Sequence, residues 1–140
     1  MDCISRRAAM RRPQLLETPA MPTYLFIYGT LHPDRAPAEI ASAARRLQPI
    51  GRGTIRARLY NLGEYPGAIL ADDTDPAAPA VPGEVFLVPD AATLSALDAY
   101  EDYRPDSPTD SLFLRTKTVV TFDDGSRKSC WVYVYNRDPR

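Results

Sequence analysis

Two features of this chain have the residue types to do chemistry, and the first is a carboxylate in an apolar setting. In the stretch from Asp90 to Glu101, Leu94 and Leu97 fall about 60° apart on a helix, and Glu101 lies between them, about 20° from Leu94. Glutamate is rarely buried without a partner. An unpaired one on an apolar stripe loses hydration, and its pKa rises. A raised carboxylate pKa is what a general base needs near neutral pH. The plain alternative is that Glu101 occupies the last helical turn and reaches water.

The second feature is Tyr28-Gly29-Thr30-Leu31, where a strand pattern ends in glycine. Such an ending lets the backbone bend and leaves successive N–H groups free, a concave site for a carboxylate or phosphate. No Gly-Lys-Ser/Thr follows, so it is not a nucleotide-binding P-loop. Arg115 stands in a strand pattern among apolar residues, where it either pairs with a buried acid or faces water. His32 is the only histidine, which removes multi-histidine metal sites. Cys130 sits mid-strand and reads as a small core hydrophobe. No Cys/His cluster has metal-ligand spacing, and no metal or cofactor is expected.

These groups must be positioned by the elements around them. Tyr24–Tyr28 is an aromatic and β-branched run that reads as a buried strand. Pro37 offers a helix start, and Ile40, Ala43, Ala44 and Leu47 follow at helical spacing, which predicts a helix over 37–47. Residues 54–60 alternate as a strand with one wet face. A turn-rich loop at 61–67 leads to a short strand at 68–70, and 72–82 read as an exposed loop. Residues 84–88 form another strand. Asp90 caps a helix running to about Glu101. A loop at 104–110 precedes a long strand from 112 to 122. Asp123-Asp124-Gly125-Ser126 is a hairpin turn, and 130–135 return with Trp131, Tyr133 and Tyr135 alternating against Cys130, Val132 and Val134. About six strands and two short helices without regular βαβ alternation argue against a doubly wound sheet. The expected fold is α+β: a small, mostly antiparallel, partly closed β-barrel with two short flanking helices.

Composition limits the rest. The 140 residues, 44% of them apolar, suit one domain with one core. A formal net charge of −1 gives no global field toward nucleic acid or membrane, and no run approaches a membrane span. Residues 1–20 carry Arg6, Arg7, Arg11 and Arg12 without a secretory apolar region, and read as a disordered extension before a domain over 21–140. Met21 is a candidate alternative start. Cys3 and Cys130 are expected to stay reduced thiols in a cytoplasm.

In order, the chain holds Tyr28-Gly29-Thr30-Leu31, then Leu59-Tyr60-Asn61-Leu62-Gly63-Glu64-Tyr65-Pro66-Gly67, then Gly83-Glu84-Val85-Phe86. Leu97-Asp98-Ala99-Tyr100-Glu101-Asp102-Tyr103, Arg115 and Val132-Tyr133-Val134-Tyr135 follow. Over roughly residues 23–136 this resembles the gamma-glutamylcyclotransferase-like family, which includes the plant avirulence-induced proteins. The resemblance implies a small barrel whose Tyr28, Gly29, Thr30 and Leu31 hold the carboxylate of a small-molecule γ-glutamyl substrate. It adds Tyr65 and Arg115 to the substrate-binding set and makes Glu101 the acid/base. The substrate's own α-amine would attack its γ-amide carbonyl, releasing 5-oxoproline and an amine. This sequence departs from many relatives at His32, Phe113 and Asp102, where those carry arginine, tyrosine and glycine. A non-catalytic module binding a carboxylate-bearing metabolite in the same pocket is the competing expectation. Which amine leaves stays open, as does the oligomeric state.

Overall fold

A computed structural model of the chain describes residues 23–28, 36–63, 66–71 and 77–137. The expectations for residues 1–20 and Met21 therefore lie outside the described residues. Six strands run in chain order as β1 (Thr23–Ile27), β2 (Gln48–Asn61), β3 (Pro66–Leu70), β4 (Ala80–Val88), β5 (Phe113–Phe122) and β6 (Arg127–Tyr135). Two helices, α1 (Ala41–Ala44) and α2 (Ala91–Tyr100), and a 3-10 turn at Pro108–Asp110 complete the described elements.

The strands order as β3-β2-β4-β1-β6-β5, and β5 pairs again with β2. Five strands thus close into a barrel, and β3 stands outside it on β2. All pairings are antiparallel except β1 with β6, which run parallel through Leu25↔Trp131 and Phe26↔Val132. The small barrel expected from the sequence is present, and its closure is complete. No helix among the described residues is long and apolar enough to cross a membrane.

Strand alternation divides the apolar side chains between two cores. Phe26, Ile55, Ala57, Val81, Val85, Val120, Cys130, Val132 and Val134 form one cluster. Leu25, Ile27, Phe86, Val88, Phe113 and Tyr133 point the other way and pack against Ile40, Ala43 and Leu47 beside α1 and Leu94 and Leu97 of α2. β1 is covered on both faces, which explains its continuous apolar run. The alternation anticipated for 130–135 holds, with Cys130 a free, fully buried thiol. Burial pushes that thiol up to about 11, so it is a packing group and not a nucleophile.

Several bounds differ from the sequence reading for physical reasons. The helix expected over 37–47 is four residues long, flanked by tight i→i−3 turns from Pro37 to Ile40 and from Ala43 to Leu47. No side chain caps its start, and so short a helix is held by burial of the predicted face, since nucleation is costly. β2 begins six residues before the alternating stretch, because its N-terminal half pairs with β4 across an irregularity at Pro49/Gly51. β4 takes in residues 80–82 from the expected loop, with Pro82 opposite Thr54. The loop after α2 contains the 3-10 turn, tied down by Ser111, whose hydroxyl accepts from Arg104 N–H at 2.8 Å.

Barrel closure depends on close approach at Gly53, which pairs with Phe122 across the β2–β5 seam. A methyl added there would stand 2.7 Å from the Thr121 carbonyl oxygen and 2.8 Å from Val120 Cγ1. Backbone and a fully buried valine cannot both yield, so Gly53→Ala is expected to cost about 1–3 kcal/mol. A urea unfolding midpoint unchanged by the substitution would show that the seam does not close this tightly.

Candidate active site

α2 is set in place at both ends. At its start, the Asp90 carboxylate accepts from Thr93 N–H at 2.8 Å, a side-chain N-cap. The Thr93 hydroxyl in turn accepts from Arg46 Nε at 2.9 Å, which ties the segment after α1 to α2. At its end, Tyr103 N–H reaches the Asp98 carbonyl at 2.9 Å and Asp102 N–H reaches the Ala99 carbonyl at 3.1 Å. These are the two bonds of a Schellman stop. They require a left-handed residue at Asp102, which has φ 55°. Glu101 is the C-cap residue. Its side chain therefore leaves the helix at a fixed point, on the stripe that carries fully buried Leu97 and nearly buried Leu94.

The Glu101 side chain has no hydrogen-bond or ion-pair partner among the described residues. Removal from water pushes its carboxyl from 4.5 up to about 7. The C-terminal end of a helix is the negative end of its dipole and offers the ionised form no relief. By exposure Glu101 is half-buried.

The Glu101 charge acts on two phenols, Tyr28, which is half-buried, and Tyr133, which is buried. Tyr28, just after β1, donates to the Tyr133 carbonyl at 2.7 Å and accepts from Ala68 N–H at 3.0 Å. Tyr133 of β6 donates to Asp98 Oδ1 at 2.6 Å. Burial holds both hydroxyls well above the usual phenol range, and the Glu101 charge pushes both further in the same direction. The Glu101 charge thus reaches the tyrosine that follows β1, although the two are far apart in the chain.

Arg115 of β5 does what the sequence reading named as one of its two options. It forms a bidentate pair with Asp98, Nε to Oδ1 at 2.9 Å and Nη2 to Oδ2 at 3.2 Å. The two side chains are 13% and 11% exposed. The guanidinium carbon lies 4.7 Å from the centre of the Trp131 ring and 5.4 Å from that of Tyr103. Nη1 is the only guanidinium nitrogen not committed to Asp98. Gly29, Thr30, Leu31 and Tyr65 lie outside the described residues. Of the predicted set, Glu101 acts electrostatically on Tyr28, Arg115 pairs with Asp98, and Tyr133 feels the charges of Asp98, Arg115 and Glu101. A signal for Asp98 was present: it precedes Glu101 by three residues on the same helical face, a second acid near the apolar stripe.

The fold agrees with comparisons to known proteins. A family profile described as Gamma-glutamyl cyclotransferase, AIG2-like matches residues 25–140, and the chain belongs to that family. Among solved structures, a mouse AIG2-like protein is 24% identical, with 84% of this chain and 80% of that one covered and a TM-score of 0.62. An Arabidopsis thaliana protein solved in solution is 21% identical over 89% of this chain and 69% of that one, also with a TM-score of 0.62. A gamma-glutamyl cyclotransferase is 13% identical over 81% of this chain and 66% of that one, with a TM-score of 0.55. At these identities the structural likenesses establish the fold. No curated protein sequence matches the chain.

Two outcomes follow from the geometry. Glycine takes the left-handed conformation at Asp102 without the steric penalty of a side chain, so Asp102→Gly should raise stability by roughly 0.5–1 kcal/mol. The exposed Arg104–Asp102 pair that it removes is worth little. A melting temperature that falls would contradict the Schellman assignment. The second concerns pH. Glu101 holds its proton more tightly folded than unfolded, so its contribution to stability is complete below about pH 4.5 and is lost as pH rises through about 7. Glu101→Gln removes this loss. The variant's advantage in unfolding free energy should grow between pH 5 and pH 8, to a ceiling of about 3 kcal/mol. Parallel pH profiles for the two proteins would show that the carboxyl is solvated.

Proposed function

We propose that this chain is a γ-glutamyl cyclotransferase that converts a γ-glutamyl amide to 5-oxoproline and a free amine, with Glu101 as the proton-transfer group. The observation that carries the reading is a carboxylate at the end of α2 that has no partner among the described residues and is pushed by burial up to about 7. Family membership supports it.

The reaction needs little from the protein. The substrate's α-ammonium must lose a proton before its nitrogen can attack, and Glu101 in its ionised form accepts that proton. The nitrogen lone pair then forms a bond to the γ-carbonyl carbon, closing the five-membered ring. As the carbonyl re-forms, the C–N bond to the leaving amine breaks, and the proton held by Glu101 passes to the leaving nitrogen. The ring nitrogen's surplus proton then follows the same route, onto Glu101 and on to the departed amine; in total the α-nitrogen gives up two protons, the leaving nitrogen gains two, and the carboxylate ends as it began. The nucleophile belongs to the substrate.

The role of the Gly29, Thr30 and Leu31 N–H groups as the cradle for the substrate's α-carboxylate is part of the proposal. It fits their place just after β1, next to Tyr28. Tyr65 is assigned to the same pocket, three residues before Ala68, which bonds Tyr28. Fixing the α-carboxylate would bring amine and amide into reach of each other, and positioning of this kind contributes as much as proton transfer.

Incubation with a panel of γ-glutamyl amides, with 5-oxoproline as the readout, tests the assignment. Wild-type protein should turn over at least one member, and kcat/KM should rise with pH along a limb centred near 7. Glu101→Gln should fold and lose at least about 10²-fold in rate. Undiminished turnover in that variant refutes the role of Glu101. Saturable binding by the wild type without any 5-oxoproline would establish the binding module instead.

A further inference from the structure

The stretch over residues 104–110 has little of its own to hold it. None of these residues is buried, so no apolar core anchors the stretch. Pro105 and Pro108 have no N–H to donate. A loop of this kind opens at low cost. Yet it leads directly out of the turn that ends α2, where Glu101 sits.

Ser111 supplies the missing anchor. It is polar but fully buried, and each of its polar atoms is engaged. Its Oγ accepts from Arg104 N–H at 2.8 Å, and its proton lies within reach of the Ser107 carbonyl at 3.2 Å and the Arg104 carbonyl at 3.4 Å. Ser111 N–H donates to the Pro108 carbonyl at 3.1 Å. The Ser111 carbonyl accepts from Asn136 Nδ2 at 2.9 Å and from Arg137 Nη1 at 2.6 Å, both just beyond β6. Asn136 Nδ2 also reaches the Pro108 carbonyl at 3.1 Å. The next residue, Leu112, donates its N–H to the Asp102 carbonyl at 3.0 Å and accepts from Asn136 N–H at 2.9 Å. Covalent and hydrogen bonds thus connect Ser111 without a gap to the residue that follows Glu101.

We propose that Ser111 is a positioning residue for Glu101: its buried hydroxyl holds the 102–112 loop shut, and the shut loop keeps the helix end that bears the proton-transfer carboxylate from fraying. The inference rests on the reading of Glu101 as that carboxylate.

The bonds at stake are the last of α2. Glu101 N–H reaches the Leu97 carbonyl at 3.0 Å, and the Asp102 and Tyr103 N–H groups complete the stop. Helix ends fray from such turns inward. Through its carbonyl, Asp102 fastens this turn to Leu112 at the head of β5. A turn released from that fastening lets Glu101 reach water and removes the burial that raises its carboxyl. The surrounding charges do not blur this effect. Tyr28 after β1 and Tyr133 on β6 stay protonated through the neutral range. Asp98 is paired with Arg115 of β5 and Asp102 with Arg104. Arg46 bonds Thr93 at the opposite end of α2, and β4 meets the helix cluster through Phe86 and Val88.

The test compares the pH dependence of unfolding free energy between Glu101 and Glu101→Gln in four backgrounds: wild type, Ser111→Ala, Asn136→Ala and Gly53→Ala. The pH at which the difference stops growing reports the Glu101 titration in the folded protein. It should lie near 7 in wild type. In Ser111→Ala it should fall by about one unit or more, toward the solvated carboxylate value. The acidic limb of kcat/KM should move down with it, and kcat at pH 8 should drop about tenfold or more as the carboxylate leaves its position. Asn136→Ala should move the same way, and it decides the matter where Ser111→Ala does not fold. Gly53→Ala, at the barrel seam, should lower stability and leave the Glu101 titration in place.

A titration unmoved in both loop variants, with stability reduced as in Gly53→Ala, overturns the inference and makes the loop structural only. A wild-type profile without any Glu101 titration overturns the reading of Glu101 and this inference together. A titration that moves as expected while no γ-glutamyl amide is cyclised supports the inference and counts against the reaction alone.

Discussion

The structure turns on one acid left without a counter-charge among the described residues. Carboxylates in dry surroundings are normally paired or pushed to the surface. Within a single turn of α2 both outcomes occur: Asp98 is paired on both oxygens and capped by a phenol, while Glu101 has no described partner. The contrast cannot come from composition, because the two side chains share a helix face. It comes from what the barrel presents to each. β5 offers Asp98 a guanidinium, and the end of β1 offers Glu101 a phenol whose only proton is already donated elsewhere. Leaving Glu101 ionised at neutral pH costs stability, and the surrounding core makes up the difference. That is the pattern expected where binding or catalysis, rather than folding, sets the residue.

Holding such a group still requires a helix end that does not fray. The last turn of a helix is ordinarily its least certain part, since its carbonyls lack partners. Here the Schellman bonds satisfy two of them, and Leu112 N–H bonds the Asp102 carbonyl at 3.0 Å, joining the turn to the start of β5. The chain accepts a left-handed aspartate to make this stop. Asparagine and aspartate tolerate that region better than other side chains, so the departure from glycine at this position is sterically mild.

Much of the barrel could be read from the sequence because strand alternation is strong where one face meets each core. Residues 130–135 are the clearest case, with two apolar sets on opposite faces. The hairpin at Asp123–Ser126 was equally legible: Gly125 has φ 90°, and Asp124 accepts from Ser126 N–H at 2.9 Å. The length of β2 was not legible. Its first residues, Gln48–Gly53, are mostly exposed and owe their conformation to pairing with β4, which no local pattern encodes. Nor was the shortness of α1, whose apolar spacing is helical but whose flanks close into tighter turns. Glu101 was legible because it breaks a periodicity. The Asp98–Arg115 pair was legible only as two halves, since a strand arginine and a helical aspartate carry no sign that they meet.

Tyr28 shows why the proposed chemistry converges on one group. A half-buried tyrosine is an obvious proton donor, and by type alone it competes with glutamate for that role. Its hydroxyl, however, bridges β6 and β3, giving its proton to the Tyr133 carbonyl and receiving one from Ala68 N–H. It serves as a rivet between the outer strand and the barrel, and burial keeps it protonated through the neutral range. To donate to a substrate it would have to abandon a buried carbonyl, a loss comparable to the bond it would gain. Tyr133 is bound in the same way to Asp98. With both phenols committed to the scaffold, the proton that must travel from the attacking nitrogen to the leaving one has a single described carrier of suitable affinity. The proposed reaction's demand for a base that becomes an acid matches Glu101, whose carboxyl is pushed up to about 7 while both neighbouring phenols are held protonated.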